Sequence, residues 1–272
     1  MSIEQRIAEL FAGSHPAEAA RALEALSEDE LRNLLDSCEL SVTAGVVGAM
    51  APQVASRYLA RTTNARAAEI LATVPFECGA DLLRRLSADE RARVLSPVAS
   101  ERRRHLEKLL RYPELTAGAL MEPRVGSFHP EQTVAEIVGD AHRRGGDIHH
   151  YLYVTDEDHS LRGVLSLREL VVAPRDASLG SIMVSPVEHL LARAHQSAIL
   201  AHPGWRRFPL LPVVGDSGRL VGVFRYETLR TLEGHPADAH ESSPLGVTLA
   251  LGELFWFGAS GLIQGWEGSE DE

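Results

Sequence analysis

The sequence is poor in cysteine and in aromatic residues, and it has fewer basic than acidic residues. Only Cys38 and Cys78 occur in 272 residues, and aromatic side chains make up 6% of the chain. This argues against a disulfide-stapled secreted domain, and a reducing cytosol is expected. Lysine and arginine total 27 against 38 aspartates and glutamates, a net charge of −11. The balance argues against a nucleic-acid partner, which would require a basic face.

Two further features are missing from the start of the chain. The first residues, Met-Ser-Ile-Glu-Gln-Arg, lack the cationic start and long apolar run of a secretory signal. The N-terminal domain is therefore expected inside the cell.

At 272 residues and with 44% hydrophobic residues, the chain is long enough and apolar enough to fold as about two domains.

The first hundred residues carry an apolar residue at every twelfth position. The clearest row is Phe11, Leu23, Leu35, Val47, Leu59, Leu71, Leu83 and Leu95. A twelve-residue period is too short for the helical hairpins of the common solenoids, so each unit is predicted to be one short helix plus a tight connection. Ser27 with Glu30, and Ser87 with Glu90, have the spacing of a capping box, which marks two helix starts. The pattern predicts a superhelix of short helices, closed by an amphipathic connector helix from about residue 100.

Residues 152–170 and 211–229 are two copies of one pattern. In each copy a short apolar run, a polar turn, a second apolar run after a glycine and a helical stretch follow one another. Each copy is preceded by Gly-x-x-Met and then a proline, beginning at Gly118 and at Gly180. These marks fit two βαββα units. They resemble the cystathionine β-synthase (CBS) module, which implies a tandem pair packed sheet against sheet.

The join between the two patterns, Leu110-Arg-Tyr-Pro-Glu-Leu-Thr-Ala-Gly-Ala-Leu-Met-Glu-Pro123, is similar to the cytosolic region of the MgtE family of magnesium transporters. In that family a helical domain and a CBS pair close on one another when Mg2+ bridges their acidic faces, and this closure holds a pore shut. The resemblance assigns Glu77 and Asp81 to the family's acidic pair, and their i, i+4 spacing puts both on one helix face. Mg2+ takes oxygen ligands and keeps several waters, so this pair is the metal-site hypothesis. The alternative is that both carboxylates merely cover a solvent face.

A second ligand hypothesis follows from the CBS resemblance. CBS pairs that bind adenosine ligands carry Gly-h-x-Ser/Thr-x-x-Asp, whose hydroxyl serves the phosphate and whose carboxylate takes the ribose hydroxyls. The first module offers Gly163-Val-Leu-Ser166-Leu-Arg-Glu169, with a glutamate in place of the aspartate. The second reads Gly222-Val-Phe-Arg225-Tyr-Glu-Thr228 and lacks both groups. The resemblance thus implies an adenine-nucleotide site at Ser166 and Glu169, with an empty cleft as the alternative, and no such site in the second module.

Residues 245–266 form a long apolar stretch whose one charged residue is Glu253. The length suits a bilayer, but a glutamate near the middle, at roughly +2.5 kcal/mol or more, makes insertion marginal. The closing residues resemble the first membrane helix of the MgtE family. A pore needs a closed ring of helices, so this polypeptide alone is not expected to transport Mg2+. The stretch is expected to contact a membrane, to fold back on the CBS pair or to lie in a dimer interface.

The sequence predicts an α plus α/β protein in four parts. These are an all-α superhelix with its connector at 1–111, CBS modules at 112–176 and 177–234, and a linker with a C-terminal apolar helix at 235–272. A hinge between the helical and CBS bodies is expected near Tyr112.

No nucleophile–base pair or metal-ligand cluster marks an enzyme, so the sequence predicts a non-catalytic regulatory protein. It is expected in the cytoplasm, with membrane association through residues 245–266 as a further option. The resemblance implies a homodimer through the CBS pair, Mg2+ as ligand and a membrane transporter as partner. An adenine-nucleotide-responsive module and a ligand-free scaffold are the alternatives.

Overall fold

The computed structural model describes residues 3–144 and 151–232. Contacts divide the chain into two compact units, most of the first formed by residues before 100 and most of the second by the chain from Ser100 onward. The predicted tail helix at 245–266 lies outside the described residues. Within the described ranges, no helix combines the length and apolar character that crossing a membrane requires.

The first unit is built from short helices joined by connections of one to four residues. They are α1 (Ile3–Ser14), α2 (Pro16–Leu23), α3 (Glu28–Ser37), α4 (Leu40–Ala49), α5 (Pro52–Arg61), α6 (Asn64–Thr73), α7 (Phe76–Arg84) and α8 (Ala88–Leu95). From α2 onward each helix begins twelve residues after the one before it, so the predicted twelve-residue helical repeat is confirmed.

Local hydrogen bonds set where several of these helices begin. Both predicted capping boxes are present, at the starts of α3 and α8. One carboxylate oxygen of Glu30 accepts hydrogen bonds from the backbone N–H of Ser27 at 2.9 Å and from its hydroxyl at 2.6 Å. Glu90 accepts from the corresponding groups of Ser87 at 3.0 and 2.7 Å. Because these bonds favour the ionised carboxylate, they lower the pKa of Glu30 and of Glu90.

The apolar row forms the core of the first unit. Its buried members are Leu23, Leu35, Val47, Leu59, Leu71, Leu83 and Leu95. Helices of even number pack successively, α2 on α4, α4 on α6 and α6 on α8, while α3 packs on α5. At the N-terminal end the core opens to solvent, because Phe11 is only half-buried and Leu10 is 66% exposed.

The second unit contains two copies of a βαββα unit. The first consists of β1 (Ser127–Phe128), α11 (Val134–Arg144), β2 (Tyr151–Thr155), β3 (Leu161–Ser166) and α12 (Leu167–Val172). The second consists of β4 (Leu190–Leu191), α14 (Gln196–Leu200), β5 (Leu210–Val214), β6 (Leu220–Arg225) and α15 (Tyr226–Leu232). Each three-stranded sheet pairs its first strand parallel and its third antiparallel to the middle one. The predicted tandem CBS architecture is confirmed.

The opening segment of each module packs on the other module. The segment that includes α10 (Ala117–Leu120) lies on the second module, where Gly118 N donates to Ala192 O at 2.8 Å and Glu122 N donates to Val223 O at 2.8 Å. The segment that includes α13 (Leu179–Ile182) lies on the first, where Leu179 N donates to Gln132 O at 2.8 Å. The modules are thus interlocked along the chain.

A methionine at the end of each exchanged segment lies against a glycine of the opposite sheet. Met121, which is fully buried, contacts Gly222 on β6, and Met183 contacts Gly163 on β3. A Cβ atom on Gly222 would lie 2.6 Å from the Met121 sulfur and 2.7 Å from the carbonyl oxygen of Glu122. The methionine of each Gly-x-x-Met sequence and the glycine after the turn of the other module are therefore contact partners.

Helix α9 (Ser100–Leu110) is the predicted connector, and it belongs to the second unit. Leu106 and Leu109 are buried, and Lys108 Nζ donates a hydrogen bond to Val221 O at 2.7 Å. Burial lowers the pKa of Lys108. The contacts therefore group α9 with the residues that follow it. Tyr112 packs against Gly118, and the hinge expected near Tyr112 stays a prediction.

Gly222→Ala should lower the free energy of unfolding by about 1–3 kcal/mol, the usual cost of overpacking, because the backbone of Glu122 cannot move aside without losing its pairing with Val223. Urea denaturation of the full chain measures this. Gly126→Ala is the matched control, because a Cβ there meets nothing within 4 Å. Equal stability of the two variants would contradict the interlock.

Candidate functional site

Helix α7 carries the acidic pair predicted to bind metal. Phe76, Ala80 and Leu83 are buried on one side of this helix. Glu77 and Asp81 lie one turn apart beside this apolar side, and both are half-buried. The structure therefore places the two carboxylates on neighbouring positions of one helix face, as the spacing predicts.

The donor set at this pair is small. In the part of the chain that the structure describes, no group of three or more histidine, cysteine or acidic side chains is arranged to hold a metal ion. Two carboxylates are hard oxygen donors, and Mg2+ commonly binds through one or two carboxylates while keeping several waters. The chemistry of Glu77 and Asp81 thus fits a hydrated Mg2+ and does not fit a tightly caged ion.

The predicted nucleotide residues, Ser166 and Glu169, lie together where β3 passes into α12. They form a capping box, in which one Glu169 oxygen accepts from Ser166 N at 2.7 Å and from Ser166 Oγ at 2.9 Å. The backbone N–H of Glu169 donates to Ser166 Oγ at 3.2 Å. Both groups are brought together as expected, but each satisfies the other. A bound phosphate or ribose would have to replace part of this pairing.

The two sheets meet through a small apolar cluster of Tyr153, Leu210 and Val223. The hairpin turns also meet, since Leu161 N donates to Gly218 O at 3.1 Å and Leu220 N donates to His159 O at 3.0 Å. Because of this contact, the ends of β3 and β6 lie at equivalent positions of the two modules.

Strand register identifies the equivalent residues. Tyr151 pairs with Ser166 in the first sheet, and Leu210 pairs with Arg225 in the second. The position of the nucleotide-type hydroxyl in the first module is therefore occupied by a guanidinium in the second.

An aromatic group near these strand ends was not anticipated from the sequence. Phe208 lies edge-to-face against Tyr151, with ring centroids 6.3 Å apart, and the Arg207 guanidinium carbon lies 5.2 Å from the Phe208 ring centre. The Trp205 ring is 5.8 Å from that of Tyr226. Nothing in the spacing of these residues signals the grouping, because Tyr151 and Phe208 come from different modules.

The arrangement agrees with comparisons to known proteins. The family model of the MgtE intracellular N domain matches residues 14–115, and that of the CBS domain matches residues 117–176. The magnesium transporter MgtE of Thermus thermophilus is 37% identical over 123 residues, which cover 44% of this chain and 27% of that protein. The magnesium transporter MgtE of Enterococcus faecalis is 27% identical over 150 residues, which cover 54% of this chain and 33% of that protein.

Two solved structures have the same architecture over most of the described chain. The cytosolic domain of the Mg2+ channel MgtE, in complex with ATP, has a TM-score of 0.69 and 28% identity, covering 80% of this chain and 90% of that one. The soluble part of a magnesium transporter has a TM-score of 0.59 and 22% identity, covering 86% and 98%. The match to the two curated transporters, in contrast, spans about a third of their length or less.

Proposed function

Because the chain is built like the cytosolic region of MgtE magnesium transporters, with an MgtE N domain followed by a CBS pair, we propose that it regulates Mg2+ transport by responding to Mg2+. The observation that carries this proposal is the pairing of that domain order with a half-buried acidic pair, Glu77 and Asp81, on one face of α7. No enzymatic role is proposed. The site of action is intracellular, in line with the description of the N domain family.

Glu77 and Asp81 supply the ion response in this proposal. Like charges at i, i+4 on a helix repel by a few tenths of a kcal/mol, and the chain as a whole carries a net charge of −11. A hydrated divalent cation at the pair cancels this local repulsion and adds two charge-assisted contacts. Ion binding then favours the arrangement of the N domain in which both carboxylates face the ion.

The double variant Glu77→Gln, Asp81→Asn should lose most of the heat of Mg2+ binding in isothermal titration of the full chain. Mg2+ should also slow proteolysis of the parent protein and not of the double variant. Glu157→Gln is the matched control, because Glu157 is an exposed carboxylate in another acidic segment. Equal heats for all three proteins, or none at millimolar Mg2+, would remove the sensing role and leave the scaffold alternative.

A nucleotide response through the first CBS module is the second candidate function. It is favoured by the convergence of a hydroxyl, Ser166, and a carboxylate, Glu169, at the open end of β3. The similar cytosolic domain solved with ATP supports an adenine nucleotide as the ligand class. In this proposal the phosphate takes the Ser166 hydroxyl and the ribose takes the Glu169 carboxylate.

A comparison of two equivalent capping boxes distinguishes nucleotide binding by Ser166 from its role as a helix cap. Ser166→Ala and Ser87→Ala should each lower stability by about 1 kcal/mol, because each removes one helix cap. ATP at about a hundredfold its Kd should stabilise the parent and Ser87→Ala by about 2.7 kcal/mol, and Ser166→Ala by much less. Thermal unfolding with and without ATP measures both effects. If ATP stabilises all three proteins equally, Ser166 does not hold the nucleotide.

A homodimer through the CBS pair is part of the proposal. Helix α12 exposes an apolar edge to solvent, with Val171 80%, Val172 76% and Leu167 36% exposed. Side chains of this kind on one short helix are suited to a self-complementary contact between two copies. Contact with a membrane transporter or a membrane is proposed only for residues 245–266, which lie outside the described part.

Val171→Asp should shift the full chain from dimer to monomer in sedimentation analysis, because a carboxylate would be desolvated in the dimer contact and not in the free chain. Leu10→Asp is the control, since Leu10 is similarly exposed on α1. Thermal unfolding confirms that both variants are folded. A dimer that survives Val171→Asp unchanged would rule out this face.

A further inference from the structure

Ser56 lies at a position of the twelve-residue repeat that is alanine in most of the helices. The row is Ala20, Arg32, Ala44, Ser56, Ala68, Ala80 and Ala92. Four of the alanines are buried, and Ser56 is 3% exposed. Serine is a poorer helix former than alanine, and a buried hydroxyl without a partner is costly. A serine at this position, in the middle of α5, therefore needs a hydrogen-bond partner.

The partner of the Ser56 hydroxyl lies on another helix. Ser56 Oγ is 3.1 Å from Leu82 O on α7 and 2.6 Å from Pro52 O on its own helix, and its one proton can be donated to either carbonyl. A bond to the carbonyl four residues back is common for a helical serine and links no other element. The buried bond to Leu82 O, in contrast, joins α5 to α7.

Leu82 O belongs to the last turn of α7, where hydrogen bonding is weakest. The final carbonyls of a helix lack partners within the regular pattern of the helix. Leu82 O and Leu83 O accept long bonds, of 3.3 Å from Arg85 N and 3.4 Å from Leu86 N. The Ser56 hydroxyl is a second donor to the first of these carbonyls, so it holds the end of α7 against α5.

This end of α7 carries one member of the acidic pair. Asp81 directly precedes Leu82, and Glu77 lies one turn earlier on the same helix. A carbonyl bonded to a neighbouring helix fixes the rotation and the axial position of its turn, and with them the place of the adjacent carboxylate. Groups that orient metal-binding side chains through hydrogen bonds commonly change metal affinity about 10–100-fold when they are lost.

We propose that Ser56 is a positioning residue for a Mg2+ site formed by Glu77 and Asp81. Its hydroxyl holds the last turn of α7 in the position at which both carboxylates reach one hydrated ion. Ser56 is buried and acts through Leu82, not on the ion itself. This role rests on the Mg2+ response proposed above, and it belongs to a residue that the acidic spacing does not indicate.

The test compares Ser56→Ala with Thr43→Val in isothermal titration of the full chain with magnesium chloride. Thr43 is the matched control, because it is also buried and its hydroxyl lies 3.0 Å from Glu39 O, four residues back, and 2.9 Å from Leu35 O on α3. Both variants lose a buried hydroxyl, but Ser56→Ala loses the bond to α7. Ser56→Ala should weaken Mg2+ binding about tenfold, and Thr43→Val should bind Mg2+ as the parent does.

Hydrogen exchange distinguishes a displaced α7 from a general loss of stability. In Ser56→Ala the amides of Arg85 and Leu86 should exchange roughly fivefold faster than in the parent, as expected for one lost hydrogen bond at a helix end. In Thr43→Val the same two amides should exchange as in the parent, because the end of a helix exchanges by local opening.

Each outcome decides one of the two proposals. If Mg2+ binds the parent and Ser56→Ala equally, or binds Thr43→Val as weakly as Ser56→Ala, Ser56 has no positioning role and the Mg2+ response stands. Weaker Mg2+ binding by Ser56→Ala without faster exchange at Arg85 and Leu86 also overturns the positioning role. If the parent binds no Mg2+ at millimolar concentration, both the Mg2+ response and the role of Ser56 are overturned.

Discussion

The reciprocal exchange of segments between the CBS modules is the constraint on which the second unit depends. Met121 lies against Gly222 and Met183 against Gly163, and in each case the backbone of the lent segment pairs with the strand that carries the glycine. Neither module has a complete sheet surface without the other's segment. The two sheets are thereby held face to face in one register, and the ends of β3 and β6 fall at equivalent positions along the seam.

Much of the fold could be predicted from the sequence, because it is repetitive on two length scales. The twelve-residue row from Leu23 to Leu95 marks both the helix spacing and the core, since each short helix can bury only one stripe of side chains. The exchange was not predicted, because Gly118–Met121 precedes its own module in sequence and only the three-dimensional pairing assigns it to the other. The apolar face of α9 is likewise visible in the sequence, but the surface that covers it is not.

The candidate sites also differ in whether their residues are close together in the sequence. Glu77 with Asp81, and Ser166 with Glu169, are close in sequence, and a helix or a helix start brings such residues together by local geometry alone. The grouping of Tyr151 with Phe208 joins residues of different modules, and so it depends on the contact between the sheets. Sequence reasoning therefore finds sites made by one element and misses sites made by two.

The two modules have the same architecture, but the equivalent ends of β3 and β6 carry different side chains. At the end of β3, hydroxyl and carboxylate satisfy each other, so the site is electrically complete without a ligand. At the end of β6 the equivalent position holds the Arg225 guanidinium, and Thr228 stands three residues on in place of the carboxylate. A ligand at the first site must displace part of this existing helix cap, which weakens its binding. The match to the nucleotide signature therefore does not by itself make a strong binding site there.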